Sequence, residues 1–188
     1  MKIPAARFIS IVAHPFVLLP LLIFLPQFQN DKGVASRATS SFIAIVLIPL
    51  ALLIWRSVAS GQWGTVDASD QSERPSLYIG SLVVSGAAAA YFYFVSPSPT
   101  LVRGCLAAGA MILVAFALNR WIKISLHLVF AAFCGLLLAR VRLEYGLPIL
   151  LLLPLLMWSR LVLSRHVLSE TIGGTLLGAA GAASLIWL

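Results

Sequence analysis

Seven apolar stretches follow one another along this 188-residue chain, each roughly long enough, the fifth least so, to span about 30 Å of hydrocarbon at about 1.5 Å per helical residue. They run from about Phe8 to Pro26, Ser41 to Ser60, Ser76 to Val95, Thr100 to Leu118, Ile124 to Ala139, Leu147 to Leu163 and Val167 to Leu188. Between them lie segments rich in Gly, Pro, Asn and charge: Gln29 to Gly33, Gly61 to Pro75, Ser96 to Pro99, Asn119 to Lys123 and Arg140 to Gly146. The pattern predicts an all-α fold, a polytopic membrane bundle of about six or seven transmembrane helices. The fifth stretch is short, and the third and fourth are the ones that could tilt or lie partly outside a bilayer. No repeat or low-complexity linker interrupts the series, so one integral membrane domain over residues 1–188 is the economical reading.

Composition agrees, since 61% of the residues are hydrophobic and only 10% charged, which is the balance of a membrane protein. Lys2 and Arg7 ahead of the first run imitate a signal peptide. That run is too long, however, and no small-x-small cleavage site follows, so it is expected to be the first span. Cys105 and Cys134 lie inside apolar stretches without ligand-type neighbours, as packing residues do. The net charge of +7 raises the question of nucleic acid. The basic residues stand singly at the ends of apolar runs and form no face interleaved with aromatics, so they read as interfacial anchors and anion binders, with no nucleic-acid partner. Noncatalytic Lys and Arg are shared between both faces, which leaves the orientation open. The expected location is the cell (inner) membrane, as a multi-pass protein.

Candidate chemistry is concentrated in three regions. Two spans separate the Gly61 to Pro75 loop from His127, and two more separate His127 from His166, so parity brings all three to one face. The first region holds Asp67, Asp70 and Glu73, half of the six acidic residues, beside Arg74 and Pro75. A solvated connector is the ordinary reading of such a loop; its position opposite two histidine regions favours a role for Arg74. The second, Lys123 to His127, puts Ser125 and His127 at the start of the fifth span. A satisfied interfacial histidine is the plain alternative there, but ionisable groups at membrane depth are costly and therefore functional candidates. The third joins Ser159 and Arg160 to His166 and Glu170. A guanidinium has the planar fork that suits phosphate oxygens. His166 and Glu170, spaced i to i+4, stack on one helical face, where the carboxylate can accept from one ring nitrogen and leave the other as base or nucleophile. The chemistry indicated is phosphoryl transfer on a lipid. His14, just before Pro15 in the first span, reads as a structural residue bonding a carbonyl freed by a proline kink.

Arg74-Pro75, Ser125-x-His127 and Ser159-Arg160-x5-His166-x3-Glu170 resemble, in order, spacing and one-sided topology, the three signatures of the type 2 phosphatidic acid phosphatase superfamily, also called lipid phosphate phosphatases. The tail from Ser169 to Gly178 is similar to the Gly-rich helix into which that family's third signature usually runs, and its small residues also let spans approach closely. The likeness covers about residues 67–178. It implies a membrane-embedded phosphatase that hydrolyses a lipid phosphate, or an isoprenoid or other lipid diphosphate, through a phosphohistidine intermediate. His166 would be the nucleophile, Glu170 its orienting partner and His127 the proton donor to the leaving group. Arg74 and Arg160 would clamp the phosphate, Ser125 and Ser159 would donate hydrogen bonds to it, and no metal or other cofactor would be required.

The chain departs from that pattern at four positions. Ile124 and Leu126 stand where the second signature usually has Pro and Gly, Asp67 replaces a lysine seven residues before Arg74, and Glu170 replaces an aspartate. Losing the glycine removes backbone freedom beside the phosphate, and Asp67 reverses a charge. Asp67 with Asp70 could instead form a substrate or cation loop holding a divalent ion beside a diphosphate. Two other functions therefore stay open: a Mg-dependent prenyl diphosphate enzyme, which would usually be longer and carry a second acidic motif, and a non-catalytic lipid-binding or transport protein. The partners expected in every case are the membrane and a phospholipid or isoprenoid lipid.

Overall fold

The structure, a computed structural model, describes residues 2–28, 31–68 and 70–187; the break at Gln29-Asn30 and the last residue of the seventh stretch, Leu188, lie outside them. All regular structure among the described residues is helical. The first span is divided at His14-Pro15 into α1 (Lys2–Val12) and α2 (Pro15–Phe28), as a proline that lacks an N–H and crowds the preceding turn requires. The second runs through α3 (Lys32–Phe42), a π-helical turn (Ile43–Leu47) and α4 (Ile48–Ala59). There the Ile48 N–H reaches back to the Ile43 carbonyl, and this wider coil immediately precedes Pro49, whose ring would press on an ordinary turn. Then follow α5 (Arg74–Phe94), α6 (Pro99–Leu118), α7 (Leu126–Val141), α8 (Leu143–Val162) and α9 (Leu168–Trp187).

Each apolar stretch meets a helical segment, and the fold is an all-helical membrane bundle. Among the described residues five segments are long and apolar enough to cross a membrane: Lys2–Gln27, Lys32–Ala59, Arg74–Phe94, Pro99–Leu118 and Leu143–Val162. The other two predicted spans fall short for different reasons. Helix α7 has only 16 residues, and α9, with 20, is diluted by Gly, Ser and Thr.

Contacts divide the chain into two compact units where the apolar pattern shows no boundary: Met1–Ser36 with Lys123–Leu188, and Arg37–Ile122. The cause is non-local packing. Helices α1 and α2 pack against α8 and α7, while α5 and α6 pair with each other.

In the first unit α7 is central, with α2, α8 and α9 packed on it. Every residue from His127 to Gly135 is buried, the pattern of a helix surrounded on all sides by protein. A helix covered in this way need not match a bilayer's thickness, which accounts for its shortness. Helix α9 approaches through glycines. A Cβ on Gly174 would stand 2.6 Å from the Ser125 carbonyl oxygen, and one on Gly178 would overlap the Val129 carbonyl. At the opposite end of α7, a Cβ on Gly146 of α8 would overlap the backbone of Gly135 and Ala139.

In the second unit α5 and α6 form a hairpin. Ser98 caps α6 by accepting from the Leu101 N–H at 3.4 Å, and Ser85 donates to the Cys105 carbonyl at 2.7 Å, so this buried hydroxyl is satisfied without water. Cys105 and Cys134 are buried and unlinked, in keeping with a packing role.

Gly178→Leu is expected to lever α9 off α7 and destabilise the protein by roughly 1–3 kcal/mol or more, as overpacking does. Gly86→Ala in α5, where an added Cβ meets nothing within 4 Å, is expected to be neutral or to stabilise by about 0.5–1 kcal/mol. Thermal unfolding of both variants in detergent checks the contrast.

Candidate functional site

One end of the first unit gathers the second and third signature regions, because α7 and α9 both begin there and α8 ends there. The tie is made by backbone and side chain together. Ser125 N–H donates to the Glu170 carbonyl at 3.2 Å. His166 Nδ1 lies 2.8 Å from Glu170 Oε2 and 3.1 Å from the Lys123 carbonyl oxygen. Both partners accept only, so Nδ1 carries the ring proton and Nε2 holds the lone pair of the neutral ring. Glu170 Oε2 also accepts from the Val167 N–H at 3.2 Å, so the carboxylate caps the start of α9 as well as bracing the histidine. The ring of His166 is nearly covered, its side chain 2% exposed.

The five-residue spacing from Arg160 to His166 has a physical origin at the end of α8. Ser164 adopts a positive φ of 53°, a conformation costing a non-glycine residue roughly 1–2 kcal/mol. That reversal folds the chain back so that the N–H groups of Arg165 and His166 both reach the Arg160 carbonyl, at 3.0 and 3.4 Å. The histidine is thus anchored to the backbone of the very residue expected to clamp the phosphate.

The side chains of the third signature are held from α1. Arg160, 1% exposed, donates from one terminal nitrogen to Ser10 Oγ at 2.8 Å. Ser159 donates its hydroxyl to the Ala6 carbonyl at 2.6 Å. Its single proton is therefore engaged in joining α8 to α1 and is not offered to a phosphate in this arrangement. Ser125 differs. It is fully buried at the amino end of α7, and its Oγ has no hydrogen-bond partner among the described residues. Its backbone is extended with a negative φ, and Leu126 begins ordinary helix, so no glycine-like conformation is drawn upon here. His127 follows, buried, with the ring of His14 beside it, centroids 4.8 Å apart.

At His14 the bond at Nδ1 is to a backbone donor: it accepts from the Phe16 N–H at 3.1 Å. The reason is that Pro15 opens α2, and the first donor left exposed belongs to Phe16. Sequence reasoning set His14 aside as structural and missed Ala6 and Ser10 altogether. An ionisable residue beside a proline in an apolar span was the available signal for His14; a backbone carbonyl and a serine facing an arginine from more than a hundred residues away gave none.

Arg74, Asp67 and Asp70 belong to the second unit and are arranged within it. Arg74 is buried at the start of α5, where Nε donates to the Ala68 carbonyl at 3.2 Å and a terminal nitrogen to the Tyr78 hydroxyl at 3.3 Å. Ala68, like Ser164, has a positive φ, here 45°, so a strained residue presents the carbonyl that holds the arginine. Asp67 is half-buried and Asp70 exposed. Glu73 fastens the loop by accepting from the Gly64 N–H at 2.7 Å. Gln71 and Asn119 exchange side-chain-to-backbone hydrogen bonds, which joins this loop to the end of α6.

Compared with family models, curated proteins and solved structures, the chain matches none. The likeness to lipid phosphate phosphatases therefore rests on the signature residues themselves.

Loss of the Ser10 hydroxyl leaves a buried guanidinium short of an acceptor, whereas loss of the Ser159 hydroxyl removes a neutral bond. Ser10→Ala is expected to cost about 1.5–3 kcal/mol and Ser159→Ala about 1 kcal/mol. Chemical unfolding in micelles, comparing the two variants, measures the difference.

Proposed function

We propose that this protein is a membrane-embedded phosphatase that hydrolyses a lipid phosphate or a lipid diphosphate through a phosphohistidine on His166. The observation that carries the reading is the double engagement of His166 Nδ1 by Glu170 Oε2 and the Lys123 carbonyl. A nucleophilic imidazole must present an unprotonated nitrogen in a fixed direction, and two acceptors on Nδ1 supply both the tautomer and the direction. A buried Arg160 and a buried Ser125 hydroxyl with a proton to give belong to the same unit and suit an anionic phosphoryl group.

In the proposed reaction Nε2 of His166 attacks phosphorus and the bond from phosphorus to the leaving oxygen breaks. His127 gives that oxygen its proton, so the lipid leaves as an alcohol, or as a monophosphate when the substrate is a diphosphate. Water then attacks phosphorus and returns a proton to His127, the bond from phosphorus to Nε2 breaks, and orthophosphate departs with His166 restored. Glu170 stabilises the positive ring as the phosphorus bond forms. Arg160 is assigned to the charge that spreads over the equatorial oxygens.

Phosphate release from phosphatidate and from an isoprenyl diphosphate, each with and without a chelator, tests the reading. Release that survives chelation is expected; metal-dependent binding without release would favour a prenyl diphosphate-binding protein. His166→Ala is expected to abolish release while leaving folded protein in the membrane. Glu170→Gln should lower turnover by about 10²- to 10⁴-fold, because an amide can favour the wrong tautomer, and Glu170→Asp should retain far more activity. A Gln variant as active as wild type would remove the carboxylate from the mechanism.

A further inference from the structure

Helices α1 and α2, and His14 between them, carry none of the three signatures, yet within the first unit they touch the second and the third. Ala6 takes the Ser159 hydroxyl, Ser10 takes Arg160, and His14 stands against His127. The last contact is the most constrained. Pro15 has no N–H, so the first orphan donor of α2 is that of Phe16, and His14 Nδ1 accepts it at 3.1 Å. An accepting nitrogen bears no proton, which puts the proton of the neutral ring on Nε2. On its sides the ring meets Phe16, with centroids 5.0 Å apart and planes at 86°, and His127, at 4.8 Å and 87°. A cap bond and two edge contacts hold the imidazole in one rotamer.

We propose that His14 is a positioning residue for His127: fixed by its cap on α2, its ring walls off the alternative rotamers of the His127 imidazole. A helix-capping role alone accounts for the bond to Phe16 but not for the ring contact across to α7. A histidine in the first turn of a helix has more than one staggered well open to it, and a rigid neighbour at van der Waals distance leaves one. The consequence for turnover rests on the reading of His127 as the proton donor; the geometric claim does not. Proton donation to a leaving oxygen needs hydrogen-bond reach, and a displacement of about 1 Å costs on the order of 10²-fold.

The chain has three histidines, so histidine-labelled protein in detergent micelles yields three imidazole spin systems by nitrogen-15 NMR, assigned with His14→Asn, His127→Asn and His166→Asn. In the wild type His14 is expected as the Nε2–H tautomer with a hydrogen-bonded, unprotonated Nδ1. His14→Asn keeps an acceptor for the Phe16 N–H and deletes the ring; the His127 signals should broaden or double while those of His166 hold. With phosphatidate micelles, kcat should fall roughly 10- to 100-fold at nearly constant KM. A His14 ring protonated on Nδ1 in the wild type overturns the proposal whether or not the variant folds, and so do unchanged His127 signals in His14→Asn. Disturbed His127 signals in a protein whose wild type releases no phosphate would sustain the positioning role and sink the phosphatase reading.

Discussion

The close backbone contact of α9 with α7 is the constraint on which the candidate site depends. His166, Glu170, Gly174 and Gly178 recur every fourth residue, and so fall along one face of α9 and the turn before it. The glycines of that stripe allow α9 to lie on the carbonyls of Ser125 and Val129. One turn earlier, the same approach brings Glu170 and His166 within hydrogen-bond range of Ser125 and Lys123. Any side chain at Gly174 or Gly178 would lift the helix, and the acidic brace and the histidine would leave the segment that fixes the imidazole tautomer. Packing and chemistry here are consequences of one four-residue repeat.

A second constraint comes from polar groups at membrane depth, which must find partners inside the protein. The buried guanidinium of Arg160 and the hydroxyl of Ser159 both find theirs on α1, so the amino-terminal helix is part of the site's support although it lies outside every signature. The strained residues fit the same logic. Ser164 and Ala68 are the non-glycine residues with positive φ among those described. One turns the chain so that His166 hangs from the Arg160 carbonyl, and the other presents the carbonyl that holds Arg74. Strain of this kind persists where surrounding bonds over-determine it, and each site here has such bonds.

Much of this was legible in the chain, for identifiable reasons. Apolar length located all seven helical segments, because a bilayer's thickness is written directly into run length. Among the described residues five of these segments are long and apolar enough to cross a membrane by themselves, while α7 is shorter and buried along much of its length. Run length does not reveal this, because it cannot distinguish lipid from protein as the surrounding medium. The i to i+4 spacing announced the His166–Glu170 pair, although His166 stands two residues ahead of α9 and meets the carboxylate from the turn before the helix and not along its face. What escaped the sequence was non-local or conformational: the two-unit division, the partners Ala6 and Ser10, the turn at Ser164 with no glycine to mark it, and the engagement of the Ser159 hydroxyl away from solvent. His14 was visible as an oddity beside Pro15, but its neighbour on α7 is set by tertiary packing alone.

The central claim is that a phosphoryl group passes through Nε2 of His166. Rapid mixing of the protein with phosphatidate, an alkaline quench that preserves phosphoramidates, and mass spectrometry of the peptides tests it most directly. The account predicts phosphate on the peptide containing His166, attached at Nε2, appearing and decaying with turnover. Turnover that leaves the protein unlabelled, or a label on His127, on His14 or on Nδ1, would contradict it.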